Sequence, residues 1–220
     1  MANFTAYFPK LLRNEGNYCH TPGDPGGETY RGIARAANSH WPGWPIVDAA
    51  KHRLGLVSPV GRASWAALNA ALGADAALSS TIQQFYKHGY WDSLRLDEVH
   101  SQSIAEQLAD HGVNAGPSRP VKMLQYLLNT QFGKHLVVDG KIGAQSIAAL
   151  NAVSPALFYL SFVEMRRAFY YYLASSSLNA TPNLAAWSNF LGTALKVRPN
   201  PAMKKFLSSW LSRTHEPFVA

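Results

Sequence analysis

A chain of 220 residues with 47% hydrophobic and 12% aromatic content has the material for a sizeable core, in one large domain or two small ones, which excludes a disordered polypeptide. Twenty lysines and arginines against thirteen acidic residues give a net charge of +7 and a pI near 9.6, so a polyanionic partner is expected. The basic residues are scattered, with no run of five or more; a bacterial cell wall with its teichoic acids, lipopolysaccharide or peptide carboxylates fits this balance as well as nucleic acid does.

Taken in order, Phe4, Phe8, Leu11 and Leu12 recur at helical spacing and predict a first helix that buries one face. Glu15 then falls in its last turn, with Gly16 as the stop. A carboxylate there feels the negative end of the helix dipole, which disfavours the charged form, as a general acid requires. A polar, glycine-rich loop follows, Asp24-Pro25-Gly26-Gly27 to Thr29 and Gly32, where a substrate can lie against that carboxylate. By itself Asp-Pro-Gly-Gly is also ordinary turn chemistry. Cys19, the only cysteine, excludes an internal disulfide; without a base at a diagnostic spacing it reads as a small buried thiol.

Trp41-Pro42-Gly43-Trp44-Pro45 reads as a loop whose indoles either stack on sugars or cover the core, and Ile46 to Leu54 has weak helical spacing. Further helices are predicted around Trp65, Leu68 and Leu72, around Leu78, Ile82, Phe85 and Tyr86, and over residues 104 to 113. From Pro117 onward the helices lengthen: Val121, Leu124, Gln125 and Leu128 mark one, Ile147 and Leu150 a second, and Phe158, Phe162, Met165, Phe169 and Tyr172 a core stripe on a helix starting near Pro155. Ser175 to Pro182 reads as an exposed loop, followed by helical patterns at Trp187, Phe190 and Leu191 and at Met203, Phe206, Leu207 and Trp210. Strand signals are scarce, and only Leu136-Val137-Val138 looks extended, so the fold class is mainly α.

The ordered set Glu15-Gly16-Asn17-Tyr18, Asp24-Pro25-Gly26-Gly27, Thr29 and Gly32-Ile33 resembles the catalytic signature of glycoside hydrolase family 108, lysozyme-like muramidases found among phage endolysins and bacterial secretion-associated proteins. Asn17 replaces the family's second glycine, a mild change because Asn best tolerates positive φ. The resemblance implies a lysozyme-like helical fold and places the catalytic acid on Glu15. The order Glu15, Asp24, Thr29 is also similar to that of phage lysozymes, with one residue fewer before the threonine, which implies that Asp24 and Thr29 orient or deprotonate a water and that the reaction inverts. Tyr90-Trp91 and the segment Asp110-His111-Gly112-Val113-Asn114 resemble family segments too, and with Tyr18 they make Tyr18, Trp91, Asp110 and Asn114 the candidates for shaping a cleft or holding sugars. Val138-Asp139-Gly140-Lys141-Ile142-Gly143 resembles the loop of small helical peptidoglycan-binding domains, although a plain turn before a helix explains it equally. The likeness covers residues 4 to 170 well and thins over the last forty.

The expected organisation is a lysozyme-like catalytic region over 1–95 and an additional helical, peptidoglycan-binding-like region over 96–220, packed together as one compact unit. The expected activity is cleavage of the β-1,4 bond between N-acetylmuramic acid and N-acetylglucosamine, with no metal or cofactor. Peptidoglycan glycan strands are the expected partner, with neither nucleic acid binding nor stable membrane insertion. Met1-Ala2-Asn3-Phe4-Thr5 has no basic and apolar leader pattern, and no run approaches roughly eighteen apolar residues; synthesis in the cytoplasm and release to the wall through a holin or a secretion apparatus is the expectation. A lytic transglycosylase would use the same glutamate but close an anhydro ring. A zinc amidase is disfavoured because the eight histidines contain no His-x-x-x-His pair. A non-catalytic peptidoglycan-binding or secretion-assisting protein stays open until Glu15 is tested.

Overall fold

The computed structural model describes residues 1–21 and 26–219. Its elements among these residues are ten α-helices and three very short strands, so the mainly α reading holds, with an additional C-terminal helical region. Two compact units divide the chain: Thr5–His88, and Gly89–Ala220 together with Met1–Phe4.

In the first unit, α1 (Phe4–Asn14) leads into an antiparallel meander of β1 (Cys19–His20), β2 (Glu28–Tyr30) and β3 (Ile33–Ala34), with Cys19 opposite Thr29 and Thr29 opposite Ala34. Then follow α2 (Trp44–Arg53), α3 (Trp65–Gly73) and α4 (Ala76–Tyr86). The strands are the main departure from the sequence reading: two or three residues are too few for an alternation to register, and Leu136-Val137-Val138, the one extended-looking run, forms no strand. On β2, Glu28 and Tyr30 are buried while Thr29 faces the other way. Burying Glu28 requires partners, and it has three: the Tyr18 hydroxyl donates to Oε1 at 2.8 Å, Lys51 Nζ lies at 2.7 Å, and Arg35 Nε stands 2.7 Å from Oε2, at ion-pair distance though poorly aligned for a hydrogen bond. Lys51 and Arg35 also pair with Asp48, tying the meander to α2. Trp41 and Trp44 are core residues, packed edge to face at 5.1 Å, and the Trp44 indole N–H donates to the Asn38 carbonyl at 2.8 Å.

The second unit contains α5 (Gln102–Ala115), α6 (Ser118–Phe132), α7 (Ala144–Asn151), α8 (Pro155–Leu173), α9 (Leu184–Thr193) and α10 (Leu207–Ser212). Ser101 and Ser154 cap α5 and α8, and Pro155 takes the first helical position. Four of the five predicted stripe residues, Phe158, Phe162, Met165 and Phe169, are buried along α8, packed against α5 and α6, and Tyr172 is half-buried. Val138 to Gly143 is a turn clamped on α6 by Gln125, whose Nε2 donates to Asp139 Oδ1 at 3.0 Å and whose Oε1 accepts from the Gly140 N–H at 3.0 Å. Gly140 has φ +77°, and a β-carbon there would lie 2.3 Å from Ser118 Oγ, so only glycine fits.

At the centre lies Arg166, fully buried. It donates to Asp110 Oδ2 at 2.5 Å, to Gln107, and to the Tyr170 hydroxyl at 3.2 Å; Arg213 adds a second cation 3.2 Å from Asp110 Oδ1. His111 lies beside this cluster with Nδ1 3.4 Å from the Tyr170 hydroxyl. Burial, and then the charges of Arg166 and Arg119, hold its imidazole well below the usual range. The unfolded chain therefore takes up a proton below about pH 6.5 that the folded unit refuses, and stability is lost as pH falls through that value. Chemical denaturation between pH 7.5 and 5 is expected to show a slope of up to about 1.4 kcal/mol per pH unit from this residue, absent in His111→Leu. An unchanged slope in the variant would refute the assignment.

Candidate active site

In the first unit α1 ends at Asn14, and the Glu15 amide still donates to the Leu11 carbonyl at 3.1 Å, so Glu15 sits immediately beyond the last turn with its side chain half-buried. Its carboxylate lies against the backbone of Gly32 in the β2–β3 turn. A β-carbon on Gly32 would stand 2.1 Å from Glu15 Oε2 and 2.7 Å from the Tyr86 hydroxyl, and Gly32 has φ +76°. Both the space and the dihedral demand glycine. Tyr86, at the end of α4, is buried and donates to the Arg31 carbonyl at 2.6 Å, which pins the turn beside the Glu15 carboxylate. Three separate segments thus converge on one half-exposed carboxyl group, the arrangement needed to present a proton in a fixed direction.

The other expected residues fall as follows. Asp24 lies outside the described residues. Thr29 is half-buried on β2, on the face opposite Glu28 and Tyr30, with its hydroxyl 3.4 Å from the Gly27 carbonyl. Tyr18 is buried: its N–H donates to Asn69 Oδ1 at 2.8 Å, its ring packs edge-on to Trp65, and its hydroxyl is held by Glu28. Burial first, and then that hydrogen bond, push the phenol far above its usual range, so it stays neutral. In the second unit Trp91 is fully buried, edge-on to Phe4 at 5.6 Å, with its indole N–H donating to Asp97 at 2.7 Å. Asp110 is buried between Arg166 and Arg213, and Asn114 is exposed, its Nδ2 donating to the Asp110 carbonyl at 2.9 Å.

Sequence reasoning passed over Tyr86, read only as a helix marker, and Glu28, inside the glycine-rich segment. For Glu28 no local spacing points to Lys51 and Arg35. For Tyr86 the signal was present: a hydroxyl-bearing ring continuing the Leu78 and Ile82 stripe must find a polar partner when buried.

Residues 8–116 match the family described as glycosyl hydrolase 108. Over that part the chain belongs to this family. Residues 119–215 match the family described as a predicted peptidoglycan domain. The chain is thus a peptidoglycan-related glycoside hydrolase, and its place of action is the cell wall. Its fold is similar to the solved structure of Brucella abortus SagA, with a TM-score of 0.50 and 22% identity over 97% of this chain and 96% of that one. No match is found among the curated proteins. Among the described residues no single helix is long and apolar enough to cross a membrane.

Two stability measurements follow from the site. Gly32→Ala is expected to destabilise the protein by more than about 1 kcal/mol in urea, because it adds both a collision and an unfavourable φ; a neutral result would mean that the Glu15–Gly32 contact is not maintained. Asp110→Ala is expected to cost about 3–5 kcal/mol by leaving Arg166 buried without its carboxylate, whereas exposed Asn114→Ala should stay within about 0.5 kcal/mol.

Proposed function

We propose that the protein is an N-acetylmuramidase that hydrolyses the β-1,4 bond between N-acetylmuramic acid and N-acetylglucosamine, with Glu15 as the general acid that protonates the glycosidic oxygen. The observation that carries this reading is the lodging of the Glu15 carboxylate against Gly32 beside Tyr86: a close approach that excludes any side chain at position 32 serves to aim the carboxyl group. On the opposite sugar face Asp24 and Thr29 orient or activate the attacking water, and the product inverts. Thr29 suits this role because its side chain leaves the buried face of β2. Among the expected sugar contacts, exposed Asn114 is the one assigned to direct contact. Tyr18, Trp91 and Asp110, whose polar atoms are taken by protein partners, act by holding their surroundings in place. The glycan strand is the partner, and a holin or secretion apparatus supplies the route to the wall.

Fragments released from purified peptidoglycan, identified by mass spectrometry, test the reading. The native protein is expected to give reducing-end muramic acid, and Glu15→Gln to lower the rate about 10²–10⁴-fold with its thermal unfolding unchanged. Anhydro-muramic ends would make the enzyme a lytic transglycosylase, free peptides would make it an amidase, and silence from both proteins would leave a binding protein. Because Glu15 must be protonated to act, activity should fall as pH rises above neutrality; a rate that stays flat into alkaline buffer would remove Glu15 from the acid role.

A further inference from the structure

The second unit carries a concave site that the reaction above does not use, apart from Asn114 at its edge. A cavity of about 140 Å³ is bounded by the end of α5, the start of α6, α8, the segment after α9, and α10, with Asn114, Arg119, Phe169, Leu173, Arg198 and Trp210 among its lining residues. Among the described residues no aspartate or glutamate lines it. Arg119 is fixed in place: Nη1 donates to the Ala115 carbonyl at 2.6 Å and Nε to the Leu195 carbonyl at 3.3 Å, which leaves Nη2 for another acceptor. Arg198 is exposed and makes no ion pair with any described residue. Apart from Asn114 at the edge, the remaining wall is apolar and aromatic. Trp210 stacks on Tyr170 at 5.4 Å, and the Tyr170 hydroxyl is turned away into the buried Arg166 cluster, so the cavity meets its ring.

Two guanidiniums beside an apolar wall, with no lining carboxylate to neutralise them, recognise an oxyanion that carries a small apolar substituent. The volume lies well below the roughly 300–1,000 Å³ that encloses a drug-sized ligand, which suits a short chain end. A phosphodiester of a teichoic acid supplies the charge, but its polyol gains nothing from Phe169, Leu173 and Trp210. A terminal alanine carboxylate supplies both charge and methyl group. We propose that this cavity binds the free carboxylate end of a peptidoglycan stem peptide, with Arg119 and Arg198 taking the carboxylate and the apolar wall taking the terminal methyl. The assignment rests on peptidoglycan being the substrate, and it adds a peptide subsite to a glycan-cleaving enzyme.

Calorimetric titration with N-acetyl-D-alanyl-D-alanine, with its C-terminal carboxamide and with glycerol phosphate tests this on the full chain. The dipeptide is expected to bind the native protein; removing its charge as the carboxamide, or replacing Arg198 by Ala, should each weaken binding about tenfold or more, while Lys204→Ala leaves it unchanged. Arg198 is exposed, so its variant keeps the native melting temperature. Absence of dipeptide binding, equal binding of the carboxamide, an unaffected Arg198→Ala, or tighter binding of glycerol phosphate would each overturn the proposal. The dipeptide has no glycosidic bond, so the titration is independent of cleavage. Normal glycan release without dipeptide binding sinks the cavity alone, and dipeptide binding with full activity in Glu15→Gln sinks the assignment of the acid alone.

Discussion

A carboxylate oxygen can rest on a polypeptide backbone only where no β-carbon intervenes, and the contact between Glu15 and Gly32 imposes that condition on the first unit. It requires α1 to end where it does, so that Glu15 emerges at the last turn. It requires the β2–β3 turn to pass through positive φ at residue 32, which two short strands permit when their other face is well anchored. That anchorage is polar: Glu28, buried behind the meander, is held by Lys51, Arg35 and Tyr18. A carboxylate so placed is costly to bury unless every partner is present, and it penalises any register that would separate it from α2. Two glutamates thirteen positions apart therefore sit in different settings, one enclosed with Tyr18, Lys51 and Arg35, the other half-buried against Gly32 at the end of α1.

The second unit follows the same logic with the charges reversed. There the enclosed group is Arg166, and the carboxylate that offsets it, Asp110, is shared with Arg213 from beyond α10. One carboxylate between two guanidiniums joins α5, α8 and the segment after α10 through a single side chain, and Gln107 and Tyr170 take part of the remaining donor capacity of Arg166. Apolar packing along α8 tolerates sliding more readily than this cluster does, because a displaced guanidinium in the core loses its partners all at once.

How far these features were legible in the sequence depended on the range over which each acts. The helices were legible because their periodicity is local: Leu78, Ile82 and Tyr86, or Phe158, Phe162, Met165 and Phe169, state their own burial. The place of Glu15 at the end of α1 was legible for the same reason, since the helical spacing and Gly16 adjoin it in the chain. The meander was not, because two-residue strands carry no alternation and exist through the contacts they make. The polar partners of Glu28 and Asp110 were also hidden, for they come from residues 35 and 51 and from 166 and 213, at distances no spacing rule connects. For Trp41 and Trp44 the sequence left two uses open, stacking on sugars or covering the core; both rings are buried, and Trp44 opens α2 where the surrounding proline and glycine had indicated a loop.

The first residues of the chain have a bearing on how the molecule is made. The Ala2 N–H donates to the Val99 carbonyl, Asn3 exchanges hydrogen bonds with the side chain of Gln102, and Phe4 meets Trp91, so Met1–Phe4 belong to the unit otherwise built from Gly89 onward. On the ribosome these residues emerge before Thr5–His88 and can find their places only after the whole of that segment has been synthesised. Arg213, which completes the charge cluster around Arg166, emerges later still. The unit that encloses Arg166 can therefore close only once Arg213 has been made, by bringing together residues that flank Thr5–His88 on both sides.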